Sequence, residues 1–326
     1  MQDLVFSLYA VIPMILLISL GYLLKRLGII NESLSKGFNR FVFVVAIPVF
    51  LFFNVYNMDS FNVDSNIIWF VVAATFVLFF IGIIVTKLFN TDVTNKSILL
   101  QSFIRSNAST IGLQVVLLLG LSVVATSNVV AMTGLSVALY NVLGVISFQI
   151  YESDHVKIRI FPLLFKVIKN PIVVGTLLGF IALAVRPLIG YPFLRTHLEP
   201  LYLAIGSVSS IASPLSLIAL GATFAFTEVN GLKKEVFTGI FIRSIFVPAI
   251  VFLVAILFKD QLGFNKDHFP TLLAVIVPSL AVSITPMAEY MKGNPKLSSQ
   301  LIVWTTITST ITMFILILIL KSMNLV

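Results

Sequence analysis

Arg105, Ser106, Asn107, Ser109, Thr110 and Gly112 fall together in SFIRSNASTIGL, inside a run that is otherwise apolar. A guanidinium, an amide and several hydroxyls at this density are hydrogen-bond donors, suited to a ligand that brings acceptors and negative charge. A second segment, VPSLAVSITPMAEY, places Ser279, Ser283 and Thr285 between Pro278 and Pro286. Each proline removes a backbone donor and disturbs the turn before it, so these hydroxyls can meet freed carbonyls or a ligand. The chemistry on offer is recognition, not bond-breaking. There is no HExxH, phosphate-binding loop or nucleophile elbow, and with no cysteine there is no thiolate nucleophile, thiolate metal site or disulfide. The 13 acidic residues lie in loops or at the ends of apolar runs, so no carboxylate sits mid-run. No cofactor, no metal site and no enzymatic activity are expected.

The surroundings of these donors fix the class. Hydrophobic residues make up 59% of the 326 and charged residues 10%, a composition that a water-soluble domain could not present at its surface. About 20 helical residues span the hydrocarbon core of a bilayer. The apolar runs 4–24, 37–56, 66–89, 97–119, 126–150, 164–185, 201–226, 236–258, 270–290 and 298–320 read as ten transmembrane helices, and none shows the alternation of a barrel strand. The start, MQDLVF, lacks the basic region of a cleaved signal, so the first run is expected to remain in the protein.

The net charge of +8 does not mark a nucleic-acid binder, because the basic residues sit between the runs rather than on one patch. Connections on one side hold fourteen lysines and arginines, from Lys25 and Arg26 to Lys292 and Lys296. The opposite side holds five: Arg186, Arg195, Lys259, Lys266 and Lys321. The positive-inside rule then puts both termini outside, in a multi-pass protein of the cell membrane. Ten helices divide into two fives at residues 151–163. A five-helix unit ends on the far side of the membrane, so the two halves, 1–150 and 164–326, form an inverted repeat. Pro48 in the second run and Pro214 in the seventh stand at comparable depths and read as paired helix breaks, and the fourth and ninth runs are the most polar and interrupted of their halves. Paired interruptions of this kind point to a transport site.

An arginine near the bilayer centre costs about 2.5–3.5 kcal/mol even on an insertion scale, so the cluster at Arg105 faces protein or a wet cavity. Unwound backbone is tolerated there on the same terms. The alternative is helix packing through small residues. Asn141, among Gly134, Ala138 and Gly144, and the serines Ser209, Ser213 and Ser216 beside Pro214, read equally as packing or site. Gly175 and Gly179 read as packing. Arg243 reads as a snorkelling structural arginine, and His155, His197 and His268 as solvated loop residues.

The chain resembles the auxin efflux carrier family, which includes plant PIN carriers and bacterial permeases for malate, malonate and related acids. The resemblance rests on ISLGYLLKRLGII with IPVFLFFNV, on SNASTIGL, KNPIVVGTLLGF, SPLSLIALGATF and IRSIFVPAI, and on VPSLAVSITPMAEY through TTITSTIT, in this order. It implies an all-α fold like that of sodium/proton antiporters and bile-acid symporters, in which the fourth and ninth helices are broken and cross. It also implies a scaffold and a transport domain that moves as an elevator. By the resemblance, Asn107 and Gly112 stand at the family's asparagine and glycine, Gln114 replaces a usual proline, and Pro278 fits a family proline. Ser283 stands where plant members carry an asparagine, and Asn141 falls near a polar residue of their site.

The expected function is transport of a small organic anion, such as malate or an auxin-like acid, held by Arg105, Asn107, Ser109, Asn141, Ser283 and Thr285. Gly112, Gln114, Pro278, Pro286, Pro48 and Pro214 shape the breaks. A sodium- or proton-coupled symporter, an anion channel, and a sensor or membrane enzyme stand as alternatives. Its partners are the anion and the bilayer, not nucleic acid, and nothing in the sequence forbids a homodimer.

Overall fold

The computed structural model describes residues 13, 16–57, 64–113, 116, 119, 121–151, 169, 171–189, 192–223 and 231–326. Most of the first expected span, the start of the sixth, His155, the linker 152–163 and Gln114 lie outside them.

The described residues are helical apart from connections and one isolated bridge. Residues 16–26 form α1. Helix α2, Glu32–Phe41, starts at Asn31, whose Oδ1 accepts from the Leu34 amide at 2.8 Å. It runs through a π-turn, Val42–Ala46, into α3, Ile47–Tyr56. Then come α4 (Ser65–Leu88), α5 (Val93–Ile104), α6 (Val123–Ile150), α7 (Pro171–Ile189), α8 (Phe193–His197) and α9 (Glu199–Thr223). Helix α10, Lys233–Phe241, passes through a second π-turn, Ile242–Phe246, into α11, Val247–Leu257. The chain closes with α12 (Phe269–Ile276), α13 (Ile284–Tyr290) and α14 (Pro295–Ser322). Polar caps set several starts ahead of the apolar runs: Asp64 for α4, Ser122 for α6 and Asn294 for α14 each accept from a first-turn amide.

Six helices among the described residues are long and apolar enough to cross a membrane: Glu32–Tyr56, Ser65–Leu88, Val124–Ile150, Glu199–Ala222, Lys233–Leu257 and Pro295–Ser322. The protein is an all-α membrane protein. Two of the expected breaks are corrected. Pro48 interrupts nothing: it follows the π-turn, whose wide ring (the Ile47 amide donates to Val42 O) relieves the clash that proline makes with the preceding turn. Pro248 sits in the same way after the second π-turn. Pro214 lies inside α9, which continues past it to Thr223.

Helix α3 packs on α7 and α9, α4 on α5, and α6 on α5 and α12. The close approach of α7 to α3 needs Gly175, where a Cβ would stand 2.3 Å from Pro48 O.

Candidate functional site

Helix α5 stops at Ile104 because Arg105 turns extended, with φ −99° and ψ 111°. Residues 105–107 stay out of helix, and Ala108–Gly112 make a single π-turn. Opposite them α12 stops at Ile276, residues 277–283 are non-helical, and α13 begins at Ile284. Pro278 lies in that gap. Pro286 lies in the first turn of α13, where an absent N–H leaves no bond unmade.

The two interruptions touch. Ser106 and Leu280 form an antiparallel bridge, and the Asn107 amide donates to Ser279 O at 2.8 Å. Side chains close the remaining valences. Ser106 Oγ donates to Val275 O at 2.6 Å, Tyr140 Oη to the same oxygen at 3.1 Å, and the Leu280 amide donates to Thr305 Oγ1 at 3.1 Å. Unwound backbone is thereby buried in protein, the condition for its presence at membrane depth. Gly112 permits the contact, since a Cβ there would lie 1.9 Å from Ala274 O and 2.7 Å from Pro278 Cγ.

Arg105 leaves the end of α5 into this junction and is 1% exposed. Its Nη1 donates to Gln101 Oε1 at 2.9 Å and to Met287 Sδ. Its Nη2 donates to Asn141 Oδ1 at 2.5 Å and to Ser283 Oγ at 2.7 Å. All four partners are neutral, and among the described residues no carboxylate pairs with it. A buried cation satisfied in hydrogen bonds but not in charge attracts an anion strongly, because the surrounding medium screens poorly.

Space for one lies beside it. A cavity of about 50 Å³ is lined by Arg105, Asn107, Asn141, Ser216 and Ser283 on its polar side and by Ile47, Phe50 and Ala212 on its apolar side. Asn107 Nδ2 is buried without a hydrogen-bond partner among the described residues. At about 10–15 Å³ per water, the cavity takes about three to five waters or the head of a carboxylate.

Of the residues singled out in the sequence, Arg105, Asn107, Asn141 and Ser283 line this one cavity. Thr285 does not. Its Oγ1 lies 3.0 Å from Ser298 Oγ of α14, tying two helices together, so its assignment to the ligand is corrected. The side chain of Ser109 lies outside the described residues. Gln101 and Met287, which hold the guanidinium, had no distinguishing signal beyond Gln101 standing one helical turn before Arg105. Arg243 does not snorkel: it is 1% exposed, with Nε and Nη2 unpartnered among the described residues. His268 is buried rather than solvated, with Nε2 3.0 Å from Asp64 Oδ2. Among the described residues no three histidines or carboxylates gather as metal ligands.

Residues 6–317 match a family model described as a membrane transport protein. No curated protein matches the chain.

Proposed function

The chain belongs to the membrane transport protein family, that of the auxin efflux carriers, and from that premise we propose that it carries a small organic anion, a carboxylate, across the cell membrane. The observation behind this reading is Arg105, a buried cation with neutral partners only, beside a cavity whose wall also holds the unpaired amide donor of Asn107. In this reading the carboxylate binds between Arg105 and Asn107, with Ser283 and Asn141 as the guanidinium's positioning partners. The interrupted fourth and ninth spans cross as related halves of an inverted repeat and move together, as an elevator, past a wall formed by α3 and α9. Among the described residues the site presents no carboxylate, so a sodium symporter, the alternative, would hold its cation on the polar groups of the interrupted spans. Both termini lie outside, and a homodimer is the proposed assembly.

The test is flux in proteoliposomes, with labelled dicarboxylates, monocarboxylates and indole acids, with and without sodium at fixed membrane potential. Saturable uptake with counterflow is expected, and it should fall to background in the double variant Asn107→Ala, Ser283→Ala. Undiminished flux in that variant would remove the site, and non-saturable flux would make the protein a channel.

A further inference from the structure

Ser35, Asn39, Phe43 and Ile47 stand four residues apart along α2, its π-turn and the first turn of α3, and so share one face of the span. All four are buried, at 4%, 1%, 0% and 4% exposure. The two ends of this stripe differ in kind. Ile47 lines the cavity beside Arg105. At the other end, Ser35 Oγ and both polar atoms of Asn39 are buried with no hydrogen-bond partner among the described residues. Three orphaned polar atoms one turn apart are unusual, because natural interiors leave few such groups unpaired. Between the two ends, Phe43 stacks on Tyr290 of α13, with ring centroids 4.4 Å apart and planes at 22°.

Helix α2 packs on α13 and α9 at this seam. Tyr290 is the last residue of α13, the half-helix that begins directly after Ser283, so one side of the seam is continuous with the binding junction. The other side, α2, starts on the face that carries Lys25, Arg26, Lys36 and Arg40. The polar pair and the cavity lie on one helix face with this stack between them, and Tyr290 itself is 48% exposed, so the stack stands where a passage from the cavity would reach the surface. Phe43 stands within the π-turn Val42–Ala46 that precedes Pro48.

We propose that this face of α2 is the route by which the anion travels between the Arg105 cavity and the basic face of the protein. The Phe43–Tyr290 stack is its gate, and Asn39 with Ser35 is a second, transient hydrogen-bonding station for the carboxylate beyond the gate. The proposal rests on the anion-carrier reading for its ligand, but its geometry can be tested without flux. When the gate parts, the amide and hydroxyl become accessible to water and to the passing carboxylate, which supplies the acceptors that Asn39 Nδ2 and Ser35 lack.

The chain contains no cysteine, so single cysteines report accessibility directly. Asn39→Cys and, one turn away, Ser35→Cys are treated in proteoliposomes with a charged, membrane-impermeant thiol reagent. Lys36→Cys serves as the exposed reference and Leu51→Cys as the buried one. Modification of a buried group follows the population of its open state. Addition of a transported acid should therefore speed labelling of Asn39→Cys and Ser35→Cys by about tenfold or more, and adding Tyr290→Ala should make it fast without the acid. Labelling as slow as at Leu51→Cys in both backgrounds, while flux persists, would overturn the route. Fast labelling in the Tyr290→Ala background with no flux of any acid by the unmodified protein would keep the route and refute the anion reading instead.

Discussion

Arg105 Nη2 donates to Asn141 Oδ1 at 2.5 Å, and Asn141 Nδ2 donates to Val137 O one turn back on α6 at 2.7 Å. The second bond fixes the amide with its oxygen toward the guanidinium, so Arg105 is held in place by a dipole and keeps its full charge. Asn141→Asp keeps the shape and supplies that charge's counter-ion from within. The expected outcome is opposite in two assays. Thermal stability rises only modestly, since the buried guanidinium gains a counter-ion while the donation to Val137 O is lost, and affinity for a carboxylate falls about 10- to 100-fold, because the site is already neutralised. Arg105→Met should lose affinity to a similar degree without the gain in stability. Tight carboxylate binding by Asn141→Asp in a radioligand assay would show that Arg105 does not hold the anion.

Gly112 and Gly37 make a matched pair. A Cβ at Gly112 meets Ala274 O and Pro278 Cγ, whereas at Gly37, exposed on α2, it meets nothing within 4 Å. Gly112→Ala must push the two interrupted segments apart and should destabilise by about 1–3 kcal/mol or more, with loss of flux. Gly37→Ala should stabilise by about 0.5–1 kcal/mol through helix propensity and leave flux alone. Melting curves in detergent, compared with the parent, check both. An unchanged melting temperature for Gly112→Ala would mean that the junction is loosely packed.

How much of this could be read ahead depended on whether the determining force was local. The stop at Ile104 and the gap at 277–283 are written in local chemistry, as Arg, Ser, Asn and Gly crowd one segment and prolines bracket the other. Pro48 and Pro214 look alike in sequence, yet their consequences depended on register. One falls where a π-turn absorbs it, and the other sits in a helix long enough to run past it. The fate of Thr285 and Met287 was settled at long range. Thr285 turns to Ser298 of α14, and Met287 reaches an arginine 182 positions away. The helices capped by Asp64, Ser122 and Asn294 start earlier than the apolar runs suggest because caps, not hydropathy, set them.

Asp64 offers a pH-dependent test outside the spans. Its carboxylate caps α4, accepting from the Asn66 amide at 2.9 Å, and lies beside the His268 ring. The Asn66 amide, chiefly, holds its pKa below the ordinary aspartate value; partial burial opposes this and His268 adds to it. For a depressed acid, the stabilisation is complete above the ordinary value and is lost as pH falls through it towards the folded one. The side chain is 39% exposed, so solvent screening limits the effect to less than about 1 kcal/mol. Melting temperature measured down from pH 5 should therefore fall slightly more steeply below pH about 4 in the parent than in Asp64→Asn, which keeps a capping oxygen without the charge. Parallel curves would mean that the carboxylate adds nothing beyond a neutral cap.

Arg243 poses the sharper question, because its position is as buried as that of Arg105 but its surroundings differ. It stands in the π-turn Ile242–Phe246, does not line the Arg105 cavity, and leaves Nε and Nη2 without partners among the described residues. A buried, unpaired charge is unfavourable, and apolar replacements of buried ionic groups are often neutral or stabilising by about 1–4 kcal/mol. Arg243→Met, shorter but apolar and flexible enough to fill much of the space, should therefore raise the melting temperature while carboxylate affinity stays within about twofold, less than about 0.5 kcal/mol. A fall in stability with affinity intact would mean that the guanidinium has a partner that matters to the fold. A fall in affinity would extend the anion's environment from Arg105 across the junction to the second π-turn, so that two buried cations, not one, would set the charge of the solute.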